Sequence, residues 1–580
     1  MRRIIQRSTI VIMSLIVASC ETDILDQQPG DAITTEEFFN TSADLEAYTN
    51  DLYAVLPTAS VYMEDADSDN ILGVSAAERL RGARIVPTNR GSGGWSWGHL
   101  RRINYFLEHY DKVDNEEAKA KYSGIARFFR AYFYYEKVKR FGDVPWYSEV
   151  IEESDEELLN KARDSREVVM DSVLADINYA IENIPAEKEL NRITKYTALI
   201  LKARISLFEG TFRKYHGLEN YEKFLEEAVS ASRELIDSGA YTLFVDGGED
   251  SAYLDLFARS NQDMTETILA VDYEFGVRTH GLAYMMTAPT LGRWGLAKDL
   301  VNSYLMTDGS PFTDQAGYET MEFYEEMQNR DPRLTQTTAG PDYMTYGSDV
   351  PEPVNLDITR TGYRVIKALP PKGPQWGYGG SFNDVILFRY AEALLIYAEA
   401  KAELGTLTQG DLDMSINKLR DRVGMPHLNM AEANANPDPY QEAMYANVDQ
   451  GANKGIILEI RRERRIEMMN EGLRWDDLMR WKEGKKVEQP ITGIYFSGLG
   501  AYDFNNDGSY DVYVHDGDDS GAPGEVTSTI NINERPLTDG TSGNLLLFSG
   551  GSFVEPKDYY YPIPIEDLEL SDNLEQNPGW

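Results

Sequence analysis

A single cysteine, Cys20, and six scattered histidines are all that this 580-residue chain offers to thiol and imidazole chemistry. One cysteine cannot close an internal disulfide, and six dispersed histidines make a catalytic triad or a zinc site a poor fit. The chain also lacks H-E-x-x-H and G-x-x-x-x-G-K, so the usual frames of zinc proteases and P-loop enzymes are missing. Positive charge is scarce: 56 Lys and Arg stand against 96 Asp and Glu, a net charge of −40. A field of that sign repels nucleic-acid phosphates and anionic membrane surfaces, so no nucleic acid is expected as a partner. Beyond the first twenty residues, no apolar run is long enough to cross a bilayer.

What is present begins at the N-terminus. Arg2, Arg3 and Arg7 precede an apolar stretch, Ile10 to Ala18, broken only by Ser14. Small residues then lead into Cys20. A basic start, a short apolar core and small residues at the cut describe a secretory signal peptide, here residues 1–19. Val17-Ala18-Ser19-Cys20 looks like a bacterial lipobox, in which the cysteine is lipidated and becomes the new N-terminus. Several acyl chains, at roughly 0.8 kcal/mol per buried CH₂, anchor a protein stably. The expected product is a soluble body, residues 20–580, hanging as a single domain from a lipid in the outer membrane.

Helical periodicity dominates two stretches of that body, about 36–240 and 384–482. In "GIARFFRAYFYYEKVKRFGDVPWY", Ile125, Phe129, Tyr132 and Phe133 share one face, while Phe128, Ala131, Tyr135 and Val138 load another. This spacing predicts a helix packed on two sides and ended by Gly142 and Pro145. Val169 to Ile181 forms a second stripe. Tyr196 to Leu207 forms a third, ending near Gly210, and Tyr221 to Ile236 a fourth, closed by Gly239. Leu387 to Ala402 repeats the pattern, followed by a partner helix over Leu412–Val423. Neighbouring helices joined by short loops suggest antiparallel pairs of a degenerate tetratricopeptide-like kind. The fold class expected is mostly α, an α–α superhelix with large irregular loop insertions and minor β. The irregular segments, about 242–383 and 490–555, are rich in Gly, Pro, Tyr, Thr, Asp and Ser, and segments of this kind are where binding concentrates.

Several blocks occur in an order that resembles the SusD/RagB family of outer-membrane lipoproteins. These are "RRINYFLEHY", "FFRAYFYYEKVKRFGDVPW", "YLMTDG", "NRDPRL", "ILFRYAEALLIYAEAKAELG", "INKLRDRVG", "RRERRIEMMNEGLRWDDLMRW" and "YYPIPIEDLELSDNLEQNPGW". The resemblance implies a helical scaffold of four tetratricopeptide-like units at the cell surface. It also implies a SusC-like TonB-dependent transporter as partner and an oligosaccharide ligand, or a peptide in some members, with no catalysis. Gln27, Gln28 and Pro29 fall in the family's N-terminal tether.

Candidate ligand residues are aromatic, because indole and phenol faces suit the CH faces of sugar rings. In "GGWSWGHL", Trp95 and Trp97 follow a Gly pair, and at least one is expected to face a ligand; the alternative is a plug for the following helix. Trp294, Trp376 and Tyr378 sit beside glycines in the irregular middle and would form a platform, with Arg81 and Asp67 as polar partners. "DFNNDGSYD" spaces Asp503, Asn505, Asp507, Ser509 and Asp511 as in a calcium loop. Val514, however, replaces the usual bidentate Glu, so an acid from elsewhere would have to complete a structural Ca²⁺ site. Glu459, Glu463 and Glu467, four apart, line one helix face and need cations such as Arg462, Arg464, Arg465 and Arg474. The expected role is an ion-pair network, with Trp475 and Trp481 in the core. The sequence as a whole points to a glycan-binding uptake lipoprotein with no required cofactor. Its rivals are a peptide binder, a secreted glycosidase and a pure scaffold.

Overall fold

Four scaffold helices begin where a polar side chain caps them, and two end at glycine. In the computed structural model, which describes residues 38–448 and 451–580, Thr41 and Asp44 form a capping box on α1 (Ser42–Leu52). After α2 (Gly98–His109), Asn115 accepts from the Ala118 N–H to start α3 (Glu116–Phe141). Ser165 caps α4 (Arg166–Asn183). Thr194 and Thr197 box the start of α5 (Lys195–His216), and α6 is Tyr221–Asp237. The expected signal peptide, Cys20 and the tether residues Gln27, Gln28 and Pro29 lie outside the described residues.

Helix α3 is buried on both expected faces, including Phe128, Phe129, Tyr132 and Tyr135. It packs against α4 on one side and α1 and α2 on another. It stops at Gly142, whose φ is +71° and whose Cβ would lie 2.9 Å from the Tyr560 ring. Helix α5 departs from expectation. It runs through Gly210 to His216 and ends at Gly217 in the left-handed region. A Cβ at Gly210 would meet Leu225 at 2.8 Å, so this glycine lets α5 and α6 approach closely rather than ending a helix.

The remaining helices used below are α7 (Leu282–Thr287), α8 (Tyr390–Glu403), α9 (Ile416–Arg422), α10 (Lys454–Glu467) and α11 (Arg474–Arg480). Leu387 is not helical. It lies on a strand, because the sheet pair formed there ends where Tyr390 starts α8. The helix expected over 412–423 is broken at Met414 and Ser415 into Gln409–Asp413 and α9. Among the described residues, short strands form four small sheets. Strand β1 (Ile71–Leu72) pairs antiparallel with β3 (Gly295–Leu296), and β2 (Thr267–Val271) with β4 (Val385–Arg389). Strand β5 (Ile491–Phe496) pairs with β9 (Gly543–Phe548). Strand β7 (Val512–His515) joins β6 (Gly500–Tyr502) antiparallel and β8 (Ser528–Asn531) parallel.

Two large cores result. The helices share one, and residues from both irregular segments share the other. Phe323 and Phe504 have ring centroids 5.3 Å apart, and the Ile494 N–H donates to the Thr361 carbonyl at 2.9 Å. A Cβ at Gly362, where φ is +93°, would lie 2.6 Å from Ile494. The segments are thus one body, though far apart in sequence.

Buried charges tie that body to α10. Glu463 meets Arg420 at 2.6 Å and Arg333 at 3.0 Å. Glu467 meets Arg422 and Arg389 at 2.7 Å and Arg333 at 3.3 Å. Burial alone would raise the Glu467 carboxyl, but Arg422, Arg389 and Arg333 together hold it far below the ordinary range. Glu459 pairs with Arg462 at 3.3 Å. Trp475 and Trp481 are buried, and the Trp481 N–H donates to Glu399 at 2.8 Å.

Candidate functional site

The sequence after β2 leaves apolar side chains in water. The backbone turns at Gly276, where φ is +81°, and the Arg278 N–H donates to the Glu274 carbonyl at 3.0 Å. Phe275 and Val277 flank that glycine, 70% and 78% exposed. His280 and Ser381 exchange backbone hydrogen bonds of 2.8 and 3.0 Å, which fixes the 374–382 loop beside the turn. That loop carries Tyr378, 89% exposed. Tyr284 of α7 meets Tyr378 edge-on, with centroids 5.7 Å apart at 87°, and Phe275 meets Phe382 at 5.7 Å and 61°. Burial lowers the His280 imidazole below its ordinary range, and its Nε2 lies 2.9 Å from the Asn383 carbonyl oxygen. The result is two aromatic pairs, Phe275–Phe382 and Tyr284–Tyr378, carried by the turn, α7 and the 374–382 loop, with Phe275 and Tyr378 largely in water. A contiguous exposed apolar patch marks an interaction surface, and phenol rings add hydroxyls able to bond a polar ligand.

The other expected aromatic positions fall differently. Trp95 is 3% exposed, T-shaped against Trp97 at 5.3 Å and Phe141 at 4.8 Å. Trp97 is half-buried among Phe133, Tyr134 and Tyr147. Lys137 lies 5.1 Å from the Trp97 ring. Its ammonium donates to the Gly94 and Ser96 carbonyls, and burial, with Arg140 adding, pulls it down to about 7. This loop plugs the scaffold ahead of α2, and Trp95 cannot stack on a ligand. Trp294 is 9% exposed, because its ring lies where a Cβ of Gly73 or Gly292 would be, at 2.8 and 2.7 Å. Its neighbouring glycines make room for burial, not for a sugar. Trp376 is half-buried, with its N–H on the Pro370 carbonyl at 2.9 Å. Of the named residues, Tyr378 belongs to the exposed face. Phe275, Tyr284 and Phe382 join it without a motif of their own; for Phe275 the sequence signal is the apolar pair straddling a turn glycine in "EFGV".

Asp67 and Arg81 do not join that face. The Arg81 Nε donates to the Ala76 carbonyl at 3.1 Å. Asp67 pairs with Arg79 at 3.7 Å, and Arg79 lies 4.5 Å over Trp475. Asp67 stands at the rim of a cavity of about 420 Å³ lined by Glu64, Tyr132, Tyr135, Lys139 and Asp476, among others. Burial raises the Glu64 carboxyl to about 7 against the pull of Lys139, with Glu136 and Asp476 adding to the rise. Lys139 grips Asp476 at 2.6 Å and Glu136 at 2.9 Å.

The expected calcium loop turns its oxygens on itself. Asp503 accepts from the Asp507 and Gly508 N–H groups at 3.3 and 2.8 Å. Asp507 accepts from Ser509 N–H at 2.8 Å, and Asp511 from Phe504 N–H at 2.8 Å. Asn505 accepts from Asp507 N–H at 3.2 Å. Among the described residues no three His, Cys, Asp or Glu converge to hold a metal ion. The spacing of Asp503, Asn505, Asp507, Ser509 and Asp511 builds chained Asx turns.

These features define an α-helical tetratricopeptide-like scaffold carrying a loop-built body with an exposed aromatic face. The SusD family profile matches residues 260–580, and a second, described as starch-binding associating with outer membrane, matches residues 4–207. The chain belongs to the SusD family. It is 26% identical to a SusD-like protein of Formosa agariphila over 84% of this chain and 93% of that one. A SusD-like protein from Bacteroides fragilis superposes with a TM-score of 0.71 at 22% identity, covering 96% of this chain and all of that one. A second B. fragilis structure, described as a SusD-like carbohydrate binding protein, gives 0.68 at 22% identity, with 93% and 100% coverage. No helix among the described residues is long and apolar enough to cross a membrane.

Proposed function

We propose that this protein is a lipid-anchored, surface-exposed glycan-binding lipoprotein of the outer membrane. It captures an oligo- or polysaccharide on the Phe275–Tyr284–Tyr378–Phe382 face and delivers it to a SusC-like TonB-dependent transporter. The observation that carries the reading is the exposure of Tyr378 and Phe275 in a fold that buries Trp95 and Trp294. Large aromatics held out in water by glycine turns are costly unless a ligand covers them. The family's description as starch-binding and the carbohydrate-binding relative in B. fragilis support the ligand class. The lipobox-like VASC supports the anchor.

A glycosidase reading would place two acting carboxyl groups in one pocket. Glu64, at about 7, has the protonation of a general acid. The neighbouring Glu136 and Asp476, however, are both engaged by Lys139, which favours a structural role. A peptide-binding reading would need free backbone groups along an extended groove, whereas this face presents rings. Calorimetry on a polysaccharide panel, with product analysis of the same mixtures, tests the proposal. Binding without chain cleavage is expected; cleavage, or binding of peptides alone, overturns it. Loss of membrane association on Cys20→Ala tests the anchor.

A further inference from the structure

Three arginines meet where the two irregular segments join. The Arg293 and Arg535 guanidiniums both donate to the Leu356 carbonyl, Nη2 at 2.7 Å and Nη1 at 3.4 Å. Arg535 Nη2 also donates to the Arg360 carbonyl at 2.8 Å. The Arg360 N–H in turn donates to the Arg293 carbonyl at 2.9 Å. Two peptide carbonyls therefore gather the three residues. The Nε of each is buried with no hydrogen-bond partner. Among the described residues none of the three has a carboxylate within 4.0 Å; Asp357 is the acid whose charge reaches Arg535. Burial, with Arg360 and Arg293 adding, pulls Arg535 down to about 10, and burial with Arg293 lowers Arg360.

This is unexpected in a chain with 96 acids and 56 bases, where the fully buried Arg333, Arg389 and Arg422 each meet carboxylates; Arg293, Arg360 and Arg535 are half-buried. Like charges gathered without a counter-ion destabilise a fold, and an anion relieves them. Both Arg535 Nη groups and the Arg293 Nη2 are spent on carbonyls, which leaves the Arg360 Nη pair and the Arg293 Nη1 as donors, and a guanidinium's paired N–H groups match the two oxygens of a carboxylate or of a sulfate ester. Arg293 also holds a left-handed φ of +49°, a conformation kept only where its surroundings over-determine it. The cluster is close to the aromatic face along the chain. Arg293 is nine positions after Tyr284, a separation of at most about 32 Å.

Resting on the glycan reading above, we propose that Arg293, Arg360 and Arg535 form an anion site for an acidic substituent, a carboxylate or a sulfate ester, of the captured glycan. At physiological ionic strength the protein's wider negative field is screened beyond about 8 Å, so the local cluster decides. The test measures the affinity of the whole protein for three oligosaccharides of equal length: a uronate chain, a sulfated galactan fragment and a neutral chain. Thermal midpoints are recorded in parallel with and without inorganic sulfate. The variants are Arg360→Gln, Arg535→Gln and Arg360→Lys.

Wild type should bind one acidic oligosaccharide at least tenfold tighter than the neutral one, and which arm responds identifies carboxylate or sulfate. Both Gln variants should lose that preference while binding the neutral chain unchanged, and Arg360→Lys should retain part of it. Sulfate should raise the midpoint of wild type more than that of Arg360→Gln. Equal affinity of wild type and both Gln variants for the acidic chains overturns the site. Neutral and acidic chains bound alike by wild type would overturn it too, leaving the glycan reading intact. A sulfate effect lost in Arg360→Gln, with no glycan bound, keeps the anion site and removes its assigned ligand along with the glycan reading.

Discussion

Glu467→Gln should be among the most damaging single substitutions in this protein that lie outside its aromatic face. At separations of 3.6 Å or less, Glu266, Asp331, Glu463, Glu467 and Glu471 form a closed network with Arg333, Lys367, Arg389, Arg420 and Arg422. The charges balance, five of each sign. Glutamine keeps the shape of Glu467 but leaves Arg422, Arg389 and Arg333 sharing one fewer anion in a fully buried site. Removing one partner of a buried charge pair costs about 3–5 kcal/mol. With a urea slope of about 3 kcal/mol/M, the unfolding midpoint should fall by roughly 1 M or more.

The pH dependence follows from the sign of the shift. The Glu467 carboxyl is depressed in the folded state, so its contribution is full above the unfolded value near 4.3 and declines as pH falls toward the folded value. The gap between wild type and variant should be widest near pH 7 and narrow below about pH 4. Adding Arg422→Gln, which restores the balance, should recover part of the loss, as coupled neighbours do. Unfolding of Glu467→Gln at the wild-type urea concentration, or a gap unchanged from pH 7 to pH 3, would refute the reasoning.

Three further outcomes are expected. Trp95→Ala empties a buried site and should cost about 3–5 kcal/mol of stability, seen as a lower urea midpoint, with no change in glycan affinity of the folded fraction. Calcium or a chelator should leave the thermal midpoint unmoved, because the 503–511 turn is already bonded to its own backbone. Glu64 is shifted the other way from Glu467: its raised carboxyl contributes stability at low pH that is lost as pH rises from about 4.3 through 7. Glu64→Gln should therefore gain on wild type more at pH 8 than at pH 5 in paired thermal scans.

Periodicity carried most of the scaffold. The two-sided loading of α3, the stripes of α4 and α6, and the spacing of Glu459, Glu463 and Glu467 all depend on local repeats, which the folded helices keep. Where the reading failed, a tertiary contact had changed the meaning of a residue. Gly210 signalled a stop, yet it serves the approach of Leu225. Leu387 fits the apolar stripe of α8, yet pairing with β2 claims it for a strand.

The candidate site was less legible for the same reason. Glycines beside Trp294 suggested an open indole, but Gly73 and Gly292 make space for the ring to be buried. Exposure of Phe275 depends on the turn at Gly276 and on the distant pairing of His280 with Ser381, which no local pattern announces. The convergence of Arg293, Arg360 and Arg535 spans both irregular segments and is invisible to any window of sequence.

The central claim is that exposed phenyl and phenol faces, not the buried indoles, hold the glycan. Calorimetry of the Phe275→Ala/Tyr378→Ala double variant against a polysaccharide bound by wild type tests it most directly. Both side chains are mostly in water, so the thermal midpoint should stay near wild type while affinity falls at least tenfold, about 1.4 kcal/mol. Wild-type affinity in a folded double variant would contradict the account.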